Sequence, residues 1–434
     1  MTVKVIGAGL AGCEAAWQLA KAGISVQLYE MKPKKYSPAH HYSGFAELVC
    51  SNSLKAARIG SAAGMLKAEM RLFDSLILRC AEESAVAAGG ALAVDRTRFS
   101  DLVTEAIRQN EHICIFEEEV TEIPKEPVII ATGPLTSEGL SEAIRRYCGT
   151  QYLSFFDAAA PIVSAESLNS SRVFMAARYG RGDADYVNCP FTREEYEAFY
   201  DALIHAESAP LHEFDRRDFK VYEGCMPIEV MARRGADTLR YGPLKPVGLT
   251  DPNTGKRPYA VVQLRRENAA GSMYNLVGFQ TNLKFPEQKR VFSMIPGLEN
   301  AEFYRYGVMH RNTFLNSPKI LNFDFSLRTA PLIAFAGQLT GVEGYIESAS
   351  SGIMAGYYMA KKLCGEEIAP LPTDCMMGAL ASYISDPAVE DFQPMGCNMG
   401  ILPDIGERIR DKALRYTKVA ERGINALKSS LAKG

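Results

Sequence analysis

Apolar positions near the N-terminus change their spacing from that of a strand to that of a helix and back. Val3-Lys-Val-Ile6 is a short β-branched run, the composition of a buried strand. It stops at Gly7-Ala-Gly-Leu-Ala-Gly12. Cys13-Glu-Ala-Ala-Trp-Gln-Leu-Ala20 follows with helical spacing, and Gly23 stands where that helix should stop. A second apolar strand, from Ile24 to Tyr29, ends in Glu30. The order predicts a strand–turn–helix–strand unit that holds a dinucleotide. Gly7 permits the tight turn and Gly9 lets a pyrophosphate approach the backbone. Gly12 lets helix and strand pack closely, with the phosphates at the helix N-terminus. Glu30 falls where an acid accepts from ribose hydroxyls. An acid there argues against a 2′-phosphate but does not separate NAD from FAD.

Two later segments favour the flavin. Val128-Ile-Ile-Ala-Thr132-Gly133 reads as a buried strand returning to the cofactor sheet. Leu332-Ile-Ala-Phe-Ala-Gly337 leads into Gln338, Gly341 and Gly344 and then a small-residue helix start. That arrangement suits backbone contact with a ribityl–phosphate chain and the edge of a flavin ring. The expected fold class is α/β: a Rossmann-type, glutathione-reductase-like FAD-binding domain interrupted by a smaller inserted α/β domain. The expected divisions are 1–135 for the first part of the FAD domain, 136–300 for the inserted substrate domain, and 301–434 for the second part. Strands are expected at Tyr259 to Leu264 and Asn275 to Gln280 in the insertion, and Gly242 to Gly255 reads as a long loop.

Composition narrows the partners. The chain has 434 residues, 47% hydrophobic, enough to bury more than one core. Lys and Arg number 48 against 51 Asp and Glu, so any nucleic acid must be met by a local basic patch rather than by global charge. No apolar run is long enough to span a bilayer. The N-terminus has neither the basic region nor the cleavage site of a secretory signal. The ten cysteines show no CxxC pair and no metal-ligand spacing. A reduced, cytoplasmic protein without membrane association or a bound metal is expected. Oligomeric state is not legible.

Several further blocks are specific. They are Pro38-Ala-His-His41, Ala46-Glu-Leu-Val-Cys-Ser-Asn-Ser-Leu54, Ala88 to Arg96, Glu223-Gly-Cys-Met-Pro-Ile-Glu-Val-Met-Ala232, Gly242 to Gly248, Arg257 to Arg265, and Tyr306-Gly-Val-Met-His-Arg-Asn-Thr-Phe314. Together, and essentially end to end, they resemble the folate- and FAD-dependent tRNA uracil-5 methyltransferases (TrmFO), relatives of the larger GidA/MnmG flavoproteins. The resemblance implies formation of 5-methyluridine at uridine 54 in the T loop of tRNA. It implies 5,10-methylenetetrahydrofolate as carbon donor, and FAD as reductant, recharged by NADH or NADPH.

That chemistry needs cysteine. Uracil C5 is a poor nucleophile until a thiolate adds to C6, and a base must then remove the C5 proton. Cys50, in Val-Cys-Ser-Asn-Ser, and Cys225, after Glu-Gly, stand in polar settings. The resemblance implies Cys225 as the nucleophile, with Cys50, nearer the flavin, removing the proton or holding the methylene-bearing intermediate. Cys80, Cys114, Cys148 and Cys364 are expected to be small buried hydrophobes. His310 is the candidate for stacking on the folate pterin, with Arg311 nearby and His40 and His41 as competitors. Lys245, Lys256 and Arg257 could hold the folate tail or RNA phosphates. Asp95 and Arg96 read as a strand-end ion pair. Glu343 and Glu347 read as acid/base groups or as caps of a helix start.

For RNA phosphates the candidates are Arg408, Arg410, Lys412, Arg415 and Lys418, in a C-terminal stretch of net charge +5 from Glu407 onward. Lys32, Lys34 and Lys35 form a smaller patch. Tyr222, Tyr345 and Phe279 are the candidates for stacking on an extruded base. Four rival functions remain compatible with the sequence: the same chemistry on ribosomal RNA, a GidA-like role at the tRNA wobble uridine (disfavoured by length), an NAD(P)H flavin oxidoreductase with a small-molecule acceptor, and a flavin-bearing RNA-binding protein without catalysis. The oxidoreductase would leave Cys50 and Cys225 without a task.

Overall fold

The computed structural model describes residues 1–125, 127–149, 152–158, 160–180, 184–209, 226–307, 309–390 and 392–432. The predicted N-terminal unit is present: strand Thr2–Ile6, helix Leu10–Lys21, strand Ser25–Glu30. These strands pair in parallel, Val3 opposite Val26 and Ile6 opposite Tyr29. Val128–Ile130 adds in parallel on the other side of Thr2–Ile6, and Ala330–Phe335 adds in parallel beyond it. Ile113–Glu117 closes the far edge beside Ser25–Glu30. With the short antiparallel strand Ser326–Leu327 the sheet has six strands. Its central strands are near-continuous runs of Val and Ile buried on both faces, as a parallel sheet with covered faces requires.

Helix Tyr345–Leu363 lies against helix Leu10–Lys21 through small residues. A Cβ on Gly352 would stand 2.1 Å from the Ala11 carbonyl oxygen, and one on Gly356 would stand 2.6 Å from that of Ala15. This joins the two ends of the chain, and one hydrophobic core runs from Val3 to Ile144 and resumes from Phe314 to Leu427.

A second core spans Ala160 to Ala301. It belongs to an antiparallel six-stranded sheet in the order Phe174–Met175, Tyr186–Phe191, Ala260–Arg266, Met273–Leu276, Ile162–Ser164 and Phe303–Arg305. Helices Arg193–Ile204 and Phe285–Phe292 contribute Tyr196, Phe199, Leu203, Val291 and Phe292 to it. Between the two cores run paired antiparallel strands, Tyr152–Ala158 outward and Met309–Leu315 back. Helix Glu138–Cys148 packs Leu140, Ala143 and Ile144 into the first core. We therefore place the division between domains at the paired strands rather than at residues 135 and 300. Among the described residues no helix is long and apolar enough to cross a membrane.

Candidate functional site

An open cleft runs along the C-terminal ends of the parallel strands, where ligands of such sheets bind. Ile6, Gly7, Gly9, Glu30, Thr132, Gly133, Gly337 and Gln338 all line it, so the structure brings together most of the residues expected to hold the dinucleotide.

The glycines divide the work by sterics. Gly7 has φ +96°, and a Cβ there would meet the Ala131 carbonyl oxygen at 2.8 Å. A Cβ on Gly12 would stand 1.8 Å from the Gly7 carbonyl oxygen, so only glycine lets the helix sit this close. At Gly9 a Cβ would meet nothing within 4 Å. The space in front of Gly9 is open, and Gly9 is the N-cap of helix Leu10–Lys21 with no side chain capping it. Its first-turn N–H groups are thus left to a ligand, as an anion site at a helix N-terminus requires.

Glu30 is buried, and its carboxylate is oriented by the backbone: Oε2 accepts from the Ala8 N–H (2.9 Å) and Oε1 from the Lys32 N–H (3.0 Å). Each oxygen keeps lone-pair capacity for a ribose hydroxyl. Lys32 does not join a surface patch. It is buried, donating to the carbonyls of Tyr42 (3.0 Å) and Gly44 (2.6 Å). Lys35 pairs with Glu119.

Gly341 and Gly344 are not among the cleft-lining residues. A Cβ on Gly341 would collide with the Phe392 ring. Gly344, with φ +117°, turns the chain into helix Tyr345–Leu363. The first residue of that helix, Tyr345, does line the cleft.

Tyr345 is the link from the cofactor cleft to Cys50. The Tyr345 hydroxyl oxygen accepts from the backbone N–H of Cys50 (2.9 Å) and of Ser51 (3.3 Å), and it lies 3.0 Å from the Cys50 sulfur. With both lone pairs engaged, the hydroxyl proton is left to point at sulfur, so Tyr345 donates to Cys50. Burial, then the Cys50 charge, push the Tyr345 hydroxyl well above its ordinary value, which keeps that proton in place.

Two residues away on the same helix, the buried Glu347 accepts from Lys55 Nζ (2.5 Å) and from the Cys397 N–H (2.9 Å). The segment from Cys50 to Lys55 is therefore clamped at both ends by one helix start. Glu343 accepts from Gln338 Nε2 (2.6 Å). Glu343 and Oε1 of Glu347 are thus engaged in holding structure, while Glu347 Oε2 is buried without a hydrogen-bond partner among the described residues.

The pair expected at Asp95 and Arg96 is a different device. Asp95 caps helix Arg96–Arg108, accepting from the N–H groups of Thr97 and Arg98 (both 3.1 Å). Arg96 turns away, donating to the Leu48 carbonyl (2.6 Å) and to Glu267 (2.6 Å). From the inserted sheet, Arg265 donates to the Ser51 hydroxyl (2.8 Å) and to Asn52 Oδ1 (2.9 Å). Cys50 thus sits where the two domains meet. Its arginine neighbours end two of the blocks that carry the family resemblance, Ala88 to Arg96 and Arg257 to Arg265, but nothing in the sequence marks either as a neighbour of Cys50.

Cys225 and Tyr222 lie outside the described residues. His310 is in strand Met309–Leu315, in register with Asp157. Three residues on, the Thr313 N–H donates to the Pro134 carbonyl (3.1 Å), which fastens this strand to the cleft wall. Phe279 is fully buried in the second core and cannot stack on a base. Cys114 and Cys364 are exposed rather than buried, because each lies on an outer face.

Arg408 and Arg410 are exposed and precede helix Lys412–Leu431, which Asp411 caps. Lys412 and Arg415 are exposed and flank the Tyr416 ring at 5.4 and 5.3 Å. Lys418 is partly covered and paired with Glu407 (3.0 Å). In the long loop, Lys245, Lys256 and Arg257 are exposed.

Residues 2–367 match the family model described as glucose inhibited division protein A. A curated relative from Acetivibrio thermocellus, "Methylenetetrahydrofolate--tRNA-(uracil-5-)-methyltransferase TrmFO", is 59% identical over 432 residues, covering 99% of each chain. One of the same name from Pelotomaculum thermopropionicum is 58% identical over 427 residues, covering 98% of this chain and 97% of the relative. Among solved structures, Aquifex aeolicus GidA superposes with a TM-score of 0.68 at 17% identity, over 99% of this chain and 78% of that one. This last likeness is one of fold.

Proposed function

As the chain belongs to the methylenetetrahydrofolate–tRNA-(uracil-5-)-methyltransferase (TrmFO) family, within the wider glucose inhibited division protein A family, we propose the reaction in that name as its own. It methylates uridine at C5 in tRNA with 5,10-methylenetetrahydrofolate as carbon donor, and the cleft lined by Gly9 and Tyr345 would hold FAD. Bound there in its reduced form, FAD would supply the hydride equivalent that takes the folate carbon from the formaldehyde level to methyl.

The chain's own residues bind and orient. The amides after Gly9 would meet the pyrophosphate and Glu30 would accept from the ribose. Tyr345, which lines the cleft, fixes the Cys50 sulfur by a hydrogen bond, and that sulfur can take a proton from C5 of a bound uracil. Cys225 is the residue we assign to attack at C6, and His310 the one that covers the pterin. Lys412 and Arg415, with Tyr416 between them, suit a phosphate–base–phosphate contact with an RNA loop. Uridine 54 of the T loop is the target we favour, with NADH or NADPH as the external reductant.

The observation that carries this reading is that Cys50 is hydrogen-bonded to a side chain lining the dinucleotide cleft. It is tested with FAD-loaded protein, unmodified tRNA transcript, NAD(P)H and methylenetetrahydrofolate labelled in its methylene carbon. Label recovered in 5-methyluridine from the T loop supports it. Label found only in ribosomal RNA would replace the substrate, and no label in either RNA would overturn the reading. Cys225→Ala should abolish transfer while FAD stays bound.

A further inference from the structure

Among the described residues, charge does not balance around Cys50. Arg96 holds the chain before it through the carbonyls of Leu48 (2.6 Å) and Val49 (3.2 Å), and Arg265 holds the chain after it through Ser51 and Asn52. A third guanidinium comes from Arg305 on the edge strand Phe303–Arg305 of the inserted sheet. Arg265 is in register with Asn275, Asn275 with Ile162, and Ile162 with Arg305. Directly opposed residues share a face, so Arg265 and Arg305 project from one row of the sheet toward the Cys50 loop. The register shifts between Phe303 and Arg305, an irregularity of the kind that re-aims a side chain beside a site.

Arg305 Nε and Nη2 are buried and find no hydrogen-bond acceptor among the described residues. Buried donors of this kind are rarely left open in a working protein. The carboxylate facing the cluster is Glu267, and Arg96 already takes it (2.6 Å). Tyr345 faces the same point from its helix as a neutral donor. Among the described residues, three guanidiniums face one carboxylate, so two positive charges largely out of water are left without a described counter-charge, an arrangement that is costly without a further anion.

We propose that the missing anion is Cys50 itself, resident as a thiolate, and that Arg305 of the inserted domain is the positioning residue that holds it in that state. The cofactor domain supplies the sulfur and the hydrogen bond from Tyr345. The inserted domain supplies the charge, so packing of the two domains is what activates the cysteine. Burial pushes the Arg265 and Arg305 guanidiniums below their ordinary values, and a negative Cys50 is among the charges that oppose this, in keeping with a shared ion cluster. The inference goes beyond the methylation reading and does not require it.

The test is the pH dependence of iodoacetamide alkylation at Cys50 in the FAD-loaded full chain, read by mass spectrometry of the Cys50 peptide. A free thiol reacts with a midpoint near pH 8.5, and activated ones fall to about 3.5–7.5. Wild-type Cys50 is expected in the lower range. Arg305→Gln is expected to raise the midpoint by about one unit or more, and Arg305→Lys, which keeps the charge, to recover most of the shift. A wild-type midpoint near 8.5 overturns the proposal whether or not any variant folds. So does an Arg305→Gln midpoint equal to wild type in protein that retains FAD. A protein that reacts as a thiolate yet transfers no label to RNA would remove the methyltransferase reading and leave this one standing.

Discussion

At Gly12 the atom nearest an added Cβ is the Gly7 carbonyl oxygen, within the same turn. At Cys50 a hydrogen-bond partner of the thiol, Tyr345, is 295 residues away, and the arginines beside it come from positions 96 and 265. Both regions border one cleft. The glycine turn is a product of local sterics: which residues lack a Cβ decides how closely strand, helix and ligand approach. The Cys50 loop is a product of assembly, since no neighbour in sequence supplies its donor or its charges. Binding a dinucleotide needs only a correctly bent backbone and a helix end. Tuning a thiol needs buried charge, which a surface loop cannot hold without two domains closing over it.

The sharpest way to break this contrast is inside the glycine turn. Gly12→Ala should lose FAD and fold poorly, by about 3 kcal/mol or more, because the new methyl has nowhere to go. Gly9→Ala meets no protein atom, so the apo protein should keep its thermal midpoint while FAD affinity falls about tenfold or more. Equal loss of stability in the two variants would mean that Gly9 is a packing glycine and the open space is not for a ligand.

In the second region, Tyr345→Phe removes one donor to sulfur without emptying the site. Methyl transfer is expected to drop about ten- to a hundredfold, the value of a hydrogen bond to a charged acceptor. Retained FAD absorbance would separate this from collapse of the cleft, and unchanged turnover would remove Tyr345 from the chemistry.

On the outer surface, Lys412→Ala with Arg415→Ala should weaken tRNA binding modestly and lower the slope of log affinity against log salt by about two, with FAD untouched. An unchanged salt slope would assign that helix to solvent.

The smallest effect concerns Glu14, buried on the helix that follows the glycine turn, whose carboxyl burial pushes up from 4.5 to about 7. The folded protein keeps this proton through a window in which the unfolded chain releases it. This contribution to stability is therefore complete below pH 4.5 and falls as pH rises toward 7. Glu14→Gln should flatten the urea midpoint between those values relative to wild type, and identical pH profiles would show the carboxyl to be otherwise satisfied.

The parallel sheet, its helix and most of the residues that line the cleft were legible because each depends on neighbours a few positions away. Gly7, Gly9, Gly12 and Glu30 form one local geometry, and Thr132, Gly133, Gly337 and Gln338 end strands that share its sheet. Gly341 and Gly344 showed the limit of the same logic: glycine after a strand signals a special turn, but not which atom fills the space, and Phe392 fills one of them. Asp95 and Arg96 looked like partners because they are adjacent. A helix start makes one a cap and frees the other to reach Glu267.

The sequence by itself determined a flavin-type dinucleotide fold, its interruption by a second domain and, through long specific blocks, the reaction family. Backbone sterics and apolar periodicity act over short stretches of chain and leave a readable pattern. Only the tertiary structure decided that Tyr345 donates to Cys50, that Glu347 and Lys55 clamp the same segment, and that Arg96, Arg265 and Arg305 gather charge around it. Buried electrostatics depends on which distant residues share a space from which water is excluded, and that sharing exists only once both cores have packed.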